Sequence, residues 1–273
     1  MKPTRYEAMF AGLKEKGEGA FIPFVMLGDS DMETSFSLME TLVASGADAL
    51  ELGIPFSDAV ADGPVIQRAG FRALTAGATP GGCLKLLAKF RKRHPEIPLG
   101  LLVYANLPAS QGLRAFYEEV AKAGADSVLI ADLPVGAAAP FVEAADAAKV
   151  APVFVVPPHV QEATLHEIAR KGRGYTYVLG RSGVTGADKE MQKPLPARFE
   201  ALKAAGAAPA LVGFGISTPQ HVRTALAAGA AGAICGSAVV ALIEKHLHDT
   251  AALHEALAAF VKEMKAATRT CKA

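Results

Sequence analysis

Short runs of β-branched and aliphatic residues alternate with longer stretches rich in Ala, Leu, Lys and Glu along the chain. Such short runs are typical of buried parallel strands, and the longer stretches are typical of the helices that cover them. The runs predict strands over residues 21–26, 49–52, 99–104, 127–131, 152–156, 175–179, 210–214 and 233–235. Eight strands with intervening helices indicate an α/β fold whose parallel sheet closes into a (β/α)8 TIM barrel.

Glycines near the ends of three helical stretches support this alternation. Gly46, Gly124 and Gly229 each come just before a predicted strand, where glycine commonly ends a helix. Ahead of the first strand, Thr4 and Glu7 form a Thr-x-x-Glu capping box for a helix over residues 5–16. This extra helix either plugs the bottom of the barrel or lies on its surface. We expect one TIM-barrel domain over residues 1–273 with an extra N-terminal helix.

Length and charge narrow the function classes. A chain of 273 residues is long for one domain, but it lies in the range of a single α/β barrel. Its net charge of +1 gives no electrostatic basis for binding nucleic acid or an anionic membrane. The expected partners are therefore small molecules or other proteins.

Three widely spaced cysteines indicate a reducing compartment. Cys83, Cys235 and Cys271 form no CxxC pair, and no histidine lies near them at metal-ligand spacing. The first twenty residues carry charges throughout, unlike a secretion signal. Residues 225–243 lack charge, but alanines and glycines dominate them, which favours a helix end, a short strand and a new helix over a membrane span. We expect a cytoplasmic protein.

A carboxylate inside an apolar strand is the strongest chemical signal. Glu51 lies among Ala and Leu residues, and Asp58 and Asp62 follow in the next loop. Burying an ionised carboxylate is costly unless it is paired or its pKa is shifted. We interpret Glu51 as a catalytic acid or base with Asp62 as its partner.

The other predicted strand ends favour acid-base chemistry without a metal. No strand interior carries the lysine that a Schiff-base aldolase needs. His159 is the only histidine near a strand end, while His246 and His248 would face different sides of a helix. The polar or flexible residues at these ends are Glu51, Tyr104, Asn106, Asp132, Tyr177, Arg181, residues 213–217 and residues 236–237.

Glycine-rich turns after the last two strands indicate an anion site. Residues 213–219 lead into a helix with Ser217 or Thr218 as cap and Pro219 in the first turn. Gly236 and Ser237 open another helix, and phosphate commonly binds at these two connections in barrels. Either motif taken alone also fits a plain tight turn that binds no anion.

Two long loops, 53–64 and 181–193, are expected to act as lids over the site. The alternative is that they are disordered and have no function.

Six separated blocks resemble the tryptophan synthase alpha subunit family. They are Leu-Glu-Leu-Gly-Ile-Pro-Phe-Ser-Asp at 50–58, Ala-Asp-Gly-Pro at 61–64, Tyr-Ala-Asn at 104–106, Gly-Arg-Gly-Tyr-Thr-Tyr at 172–177, Arg-Ser-Gly-Val-Thr-Gly at 181–186 and Gly-Phe-Gly-Ile at 213–216. The resemblance covers nearly the whole chain. It implies the same barrel and a lyase of tryptophan biosynthesis, which cleaves indole-3-glycerol phosphate to indole and glyceraldehyde 3-phosphate.

The resemblance also implies roles for individual residues. Glu51 would transfer protons first as an acid and then as a base, and Asp62 would accept the indole N–H. Arg181 would serve the lid. The substrate pocket would comprise Phe24, Leu102, Tyr104, Leu129, Tyr177, Thr185 and Phe214, and the phosphate would be held by Gly186, Gly215, Gly236 and Ser237. The aromatic residues among these are equally typical of ordinary barrel core.

A partner is implied as well. The resemblance predicts a beta subunit that binds pyridoxal phosphate, in a heterotetramer of two alpha and two beta subunits, with no cofactor in this chain. Pro55 and Asp58 would face the beta subunit, coupling its binding to the placement of Asp62. Two other functions stay open, which are a freestanding indole-3-glycerol phosphate lyase and a non-catalytic regulatory subunit that binds phosphate ligands.

Five positions depart from the usual family pattern. Met26 stands in place of Thr, Ser30 in place of Pro, Ala59-Val60 in place of Pro-Leu, and Gly180 in place of Ser or Ala. Loss of a proline at position 59 should increase the freedom of the open loop and make its closure more costly.

Overall fold

The structure is a computed structural model that describes residues 3–180 and 196–269. Its strands are all parallel, pair in chain order and close when the last pairs with the first. They are β1 (Ala20–Met26), β2 (Leu50–Gly53), β3 (Leu99–Val103), β4 (Ser127–Ile130), β5 (Ala151–Val156), β6 (Thr176–Leu179), β7 (Ala210–Gly213) and β8 (Gly232–Cys235). The predicted TIM barrel is confirmed, and each strand ends within one residue of its predicted bounds because the apolar runs define the strands.

Helices connect successive strands and cover the barrel. In the described part of the chain they are α1 (Arg5–Lys16), α2 (Met32–Ala44), α3 (Pro64–Thr75), α4 (Pro80–Arg93), α5 (Asn106–Gln111), α6 (Leu113–Ala123), α7 (Ala139–Ala148), α8 (Glu162–Lys171), α9 (Pro196–Ala204), α10 (Pro219–Ala227), α11 (Ser237–Lys245) and α12 (Thr250–Ala266). A 3-10 turn at Val135–Ala137 precedes α7. None of the helices in the described ranges has the length and apolar character needed to cross a bilayer.

Strand β2 shows how the core divides into two layers. Leu50 and Leu52 are buried in the layer between the barrel and its helices. Glu51 points the opposite way, into the barrel, because successive side chains of a strand alternate between its faces. Strand β2 therefore packs its leucines against the surrounding helices and places Glu51 inside the barrel.

Helix α1 closes the bottom of the barrel, which is the first of the two arrangements predicted for it. The Thr4–Glu7 capping box is present, and Tyr6 is buried in the interior cluster of the barrel. The Tyr6 hydroxyl lies 2.9 Å from Oγ of Ser127, the first residue of β4. Arg5 pairs with Asp126 at 2.8 Å at the same end. These contacts place α1 at the amino ends of the strands.

The helix starts after β7 and β8 also match the sequence analysis. Thr218 caps α10 by accepting the His221 N–H, and Pro219 occupies the first turn. Gly236 precedes α11, which begins at Ser237. The uncharged stretch 225–243 is thus the end of α10, strand β8 and most of α11, as predicted.

The turn after β1 differs from a proline-containing turn. Ser30 has a φ of 69°, a left-handed conformation that proline cannot adopt because its ring fixes φ near −65°. We expect Ser30→Pro to lower the free energy of unfolding by more than about 1 kcal/mol. Urea unfolding followed by circular dichroism measures this, with Ser30→Gly as the control that accepts a positive φ. An unchanged midpoint in Ser30→Pro would contradict the conformation of this turn.

Candidate active site

A cavity of about 180 Å³ opens among the strands and lies against both predicted catalytic acids. Its walls are mostly apolar, so a flat aromatic ring fits its chemistry better than a sugar or a nucleotide phosphate. The described residues that line it are Phe24, Glu51, Ala61, Asp62, Ile66, Leu102, Leu129, Ala131, Val155, Tyr177, Leu179, Phe214, Ile234 and Gly236.

Glu51 is fixed at the inner wall of the cavity. Its side chain is almost completely buried, and its Oε1 accepts a hydrogen bond of 2.7 Å from the Tyr175 hydroxyl. The Tyr175 ring packs against the Tyr6 ring of α1 with centroids 5.4 Å apart. Helix α1 at the bottom of the barrel therefore supports Tyr175, whose hydroxyl holds Glu51.

The pKa of Glu51 lies near neutral pH. Burial is the main cause that raises the pKa of Glu51 to about 7, and the negative charge of Asp62 raises it further. The hydrogen bond from Tyr175 opposes both effects because it stabilises the carboxylate. A carboxyl with this pKa can give up and take back a proton near neutral pH, which general acid-base catalysis requires.

Asp62 reaches the cavity from the loop between β2 and α3. Its Oδ2 accepts a hydrogen bond of 2.9 Å from the Tyr104 hydroxyl, which in turn accepts the Ala61 N–H at 3.1 Å. The Tyr104 ring stacks on Phe56 of the same loop, with centroids 5.5 Å apart. One tyrosine at the end of β3 thus holds both ends of this loop.

The pKa of Asp62 is raised as well. Burial raises its pKa to about 6, and the Tyr104 hydrogen bond partly opposes that rise. Each acid thus has a raised pKa and its own phenolic donor, Tyr175 for Glu51 and Tyr104 for Asp62. Two buried carboxyls whose pKa values are both raised, in one apolar cavity, are typical of an acid-base site.

The opposite wall depends on a strained turn after β7. Phe214 has a φ of 64°, which is rare for a bulky residue, and Gly215 follows with a φ of 82°. The Tyr177 and Phe214 rings meet edge to face with centroids 6.1 Å apart. A Cβ on Gly213 would overlap the Tyr177 ring, so only glycine admits this arrangement. Backbone strain of this kind concentrates at functional sites.

The structure brings together most of the predicted site residues. Those that line the cavity are Glu51, Asp62, Phe24, Leu102, Leu129, Tyr177, Phe214 and Gly236. Tyr104 lies behind Asp62 and contacts it, Gly215 follows the wall residue Phe214, and Ser237 begins α11 next to Gly236. Arg181, Thr185 and Gly186 lie outside the described residues. In the loop, Asp58 is exposed, whereas Pro55 is buried within the chain.

Sequence reasoning missed Tyr175 and several apolar wall residues. Tyr175 lies two positions before Tyr177, so the period of two along a strand places both on the same face and was an available signal. Ile66, Val155 and Leu179 also line the cavity. Nothing in the sequence separates these three from ordinary core residues.

Besides Ser30, two departures from the family pattern can be described from their surroundings. Met26 lies in a buried cluster with Phe24 and Ile66, and a Cβ on the facing Gly70 would lie 3.7 Å from its Cε. Gly180 leaves no room for a side chain, because a Cβ there would lie 2.6 Å from the Phe214 carbonyl oxygen. Within residues 3–180 and 196–269, no group of three or more His, Cys, Asp or Glu side chains is arranged to hold a metal ion.

Comparison with known proteins identifies the family. The profile of the family described as tryptophan synthase alpha chain matches residues 10–269. The chain belongs to this family. It is 54% identical to the tryptophan synthase alpha chain of Escherichia coli over 266 residues, which cover 97% of this chain and 99% of the relative. A relative from Shigella dysenteriae has the same identity and coverage.

Solved structures agree with this assignment. The tryptophan synthase alpha subunit from Legionella pneumophila superposes with a TM-score of 0.87 at 32% identity, covering 98% of this chain and 99% of that one. A chain from a tryptophan synthase a2b2 complex of Pyrococcus furiosus gives a TM-score of 0.79 at 31% identity, covering 91% and 98%. Members of the tryptophan synthase alpha chain family cleave indole-3-glycerol phosphate, so the predicted carbon–carbon lyase of tryptophan biosynthesis is confirmed.

Proposed function

We propose that Glu51 and Asp62 perform this cleavage in the cavity at the ends of β1–β8. The observation that carries the proposal is Glu51 itself, a buried carboxyl with a pKa of about 7, held by Tyr175 in an apolar cavity that also contains Asp62. The apolar wall formed by Phe24, Leu129 and other residues suits an indole ring.

The retro-aldol steps assign a task to each acid. Protonated Glu51 donates its proton to C3 of the indole, and the ring becomes an electron sink with positive charge at its nitrogen. Ionised Glu51 then takes the proton of the hydroxyl on the carbon attached to C3. The bond between that carbon and C3 breaks, its electron pair returns to the ring, and indole and glyceraldehyde 3-phosphate form. Asp62 accepts the indole N–H and stabilises the transient positive charge.

The phosphate end of the substrate would lie at the turns after β7 and β8. Gly236 lines the cavity and Ser237 begins α11, so backbone N–H groups at the start of a helix face this region. Gly215, with its positive φ, allows the chain to pass close to a ligand. By the family resemblance, Gly186 would also hold the phosphate, Thr185 would belong to the substrate pocket and Arg181 to the lid.

The proposal includes a beta subunit as partner and a heterotetramer of two alpha and two beta subunits. Its support is the likeness to a chain of the Pyrococcus furiosus a2b2 complex, together with the outer half of the β2–α3 loop. Asp58 is exposed there and Val60 is 72% exposed, while Ala61 and Asp62 are held by Tyr104. A partner that covers the exposed half would act on the placement of Asp62.

The remaining elements of the proposal concern the cofactor and the compartment. Every step above uses side chains of this chain, and pyridoxal phosphate would belong to the beta subunit. Cys83 and Cys235 are buried and unpaired among the described residues, which fits a cytoplasmic location.

Indole release with and without a beta subunit tests the partner. Because Ala59 should leave the open loop freer, we expect low turnover of indole-3-glycerol phosphate alone and a rise of roughly tenfold or more with the beta subunit, a size common for allosteric coupling. Indole is followed by a colorimetric assay, with the beta subunit alone as the control. Equal turnover in both conditions would favour a freestanding lyase, and binding without turnover would favour a regulatory subunit.

A further inference from the structure

An ion-pair network joins helix α3, which contributes Ile66 to the cavity wall, to helix α11, which follows the wall residue Gly236. Given the proposed roles of Asp62 and of the amino end of α11, on which this inference rests, the geometry points to Arg72 as a positioning residue. We propose that Arg72 and its partners fix helix α3 against α11, and that this contact sets Asp62 at the correct distance from the phosphate site.

The first link joins Asp62 to α3. The loop runs through Gly63 directly into α3, which begins at Pro64. The Gln67 side-chain amide reaches back from the first turn and donates to the carbonyl oxygen of Asp62 at 2.8 Å and to that of Ala59 at 3.3 Å. A displacement of α3 is therefore transmitted to Asp62 through two short connections, the backbone and this amide.

The second link joins α3 to its surroundings through arginines. Arg72 donates to both carboxylate oxygens of Asp29, at 2.7 and 2.8 Å, and to Oε1 of Glu244 at 2.9 Å. Arg68, one turn earlier, donates to both oxygens of Glu244 at 2.7 and 2.8 Å. Asp29 is only 3% exposed and Arg72 20%, so this part of the network is shielded from solvent and has a defined geometry.

The third link leads to the proposed phosphate site. Glu244 belongs to α11, whose first residue, Ser237, follows the cavity residue Gly236. Val240 of α11 is buried in one cluster with Ile66 and Ala69 of α3, so the two helices also share an apolar contact. Apolar packing alone allows small sliding movements, whereas paired charges with two hydrogen bonds each specify one register.

The substrate makes this register important for catalysis. Its indole N–H must meet Asp62 while its phosphate lies at the start of α11, so one molecule spans both helices. Displacement of a catalytic group by 1 Å can cost about 10²-fold in rate. A loosened network is thus expected to impair turnover through Asp62 more than it impairs binding of the phosphate.

Glu244→Ala is the main test variant. It removes the link to α11 but leaves Arg72 paired with Asp29, whereas Arg72→Ala would strand the buried Asp29 charge and endanger folding. We expect kcat for indole-3-glycerol phosphate to fall about tenfold in Glu244→Ala and in Gln67→Ala. Binding of indole-3-propanol phosphate, measured by calorimetry on the full chain, should weaken several-fold, while binding of glycerol 3-phosphate stays unchanged. Arg114→Ala, which removes an exposed ion pair of α6, is the matched control.

A double-mutant cycle separates this inference from the proposed function. In an Asp62→Asn background, Glu244→Ala should cost little further activity, because the network acts through Asp62. If the losses of kcat caused by the two substitutions multiply, Arg72 and Glu244 do not position Asp62 and the inference is wrong. The same holds if Glu244→Ala weakens the binding of both probes equally. If Asp62→Asn alone leaves turnover unchanged, the proposed function fails instead.

Discussion

Glu51→Gln is expected to abolish measurable indole formation. Glutamine has the shape of glutamate and can still accept the hydrogen bond from Tyr175, but it cannot exchange a proton near neutral pH. Because Glu51 is assigned both proton transfers, we expect kcat to fall by on the order of 10³-fold or more. The measurement is steady-state release of indole from indole-3-glycerol phosphate with a saturating beta subunit.

Ligand binding distinguishes loss of chemistry from loss of structure. The Kd of indole-3-propanol phosphate should change little in Glu51→Gln, since the cavity wall and the phosphate turns remain. Glu255→Gln, at an exposed position of α12, is the control for the charge change. Retained turnover in Glu51→Gln would remove Glu51 from the mechanism, and loss of binding would show that the substitution disturbs the cavity.

The barrel and its main acid were readable from the sequence for physical reasons. Buried parallel strands need near-continuous apolar runs, so each strand can be recognised from its own short stretch of sequence. Glu51 was visible because a charge breaks such a run, and its partner Asp62 lies only eleven residues further along the chain. Thr4, Thr218 and Gly236 were visible because helix starts have their own local chemistry.

Contacts between distant segments were not readable. Tyr104 meets Asp62, and Arg72 meets Asp29 and Glu244, only after the strands have closed into a barrel. The left-handed conformation of Phe214 was hidden as well, because phenylalanine gives no local signal for a positive φ. These contacts determine how the acids are held, so the sequence indicated which residues react more clearly than how they are positioned.

Asp62→Asn is expected to lower kcat by about 10²-fold, comparable with the loss of one preorganised electrostatic group from an active site. The asparagine oxygen can still accept the indole N–H, but it carries no charge to stabilise the positive ring. Tyr104 can also keep its hydrogen bond to this oxygen. The loss should therefore appear mainly in kcat, with a smaller change in KM.

The pH profile gives an independent measure of the same substitution. The charge of Asp62 raises the pKa of Glu51, so its removal should lower that pKa. Glu51 must be protonated for the first step, and activity that depends on this proton is lost as pH rises through its pKa. The alkaline limb of kcat should therefore move to lower pH in Asp62→Asn, while Asp146→Asn, an exposed carboxylate of α7, should leave it in place. An unmoved limb would mean that Asp62 does not act on the proton of Glu51, and would leave it only the contact with the indole nitrogen.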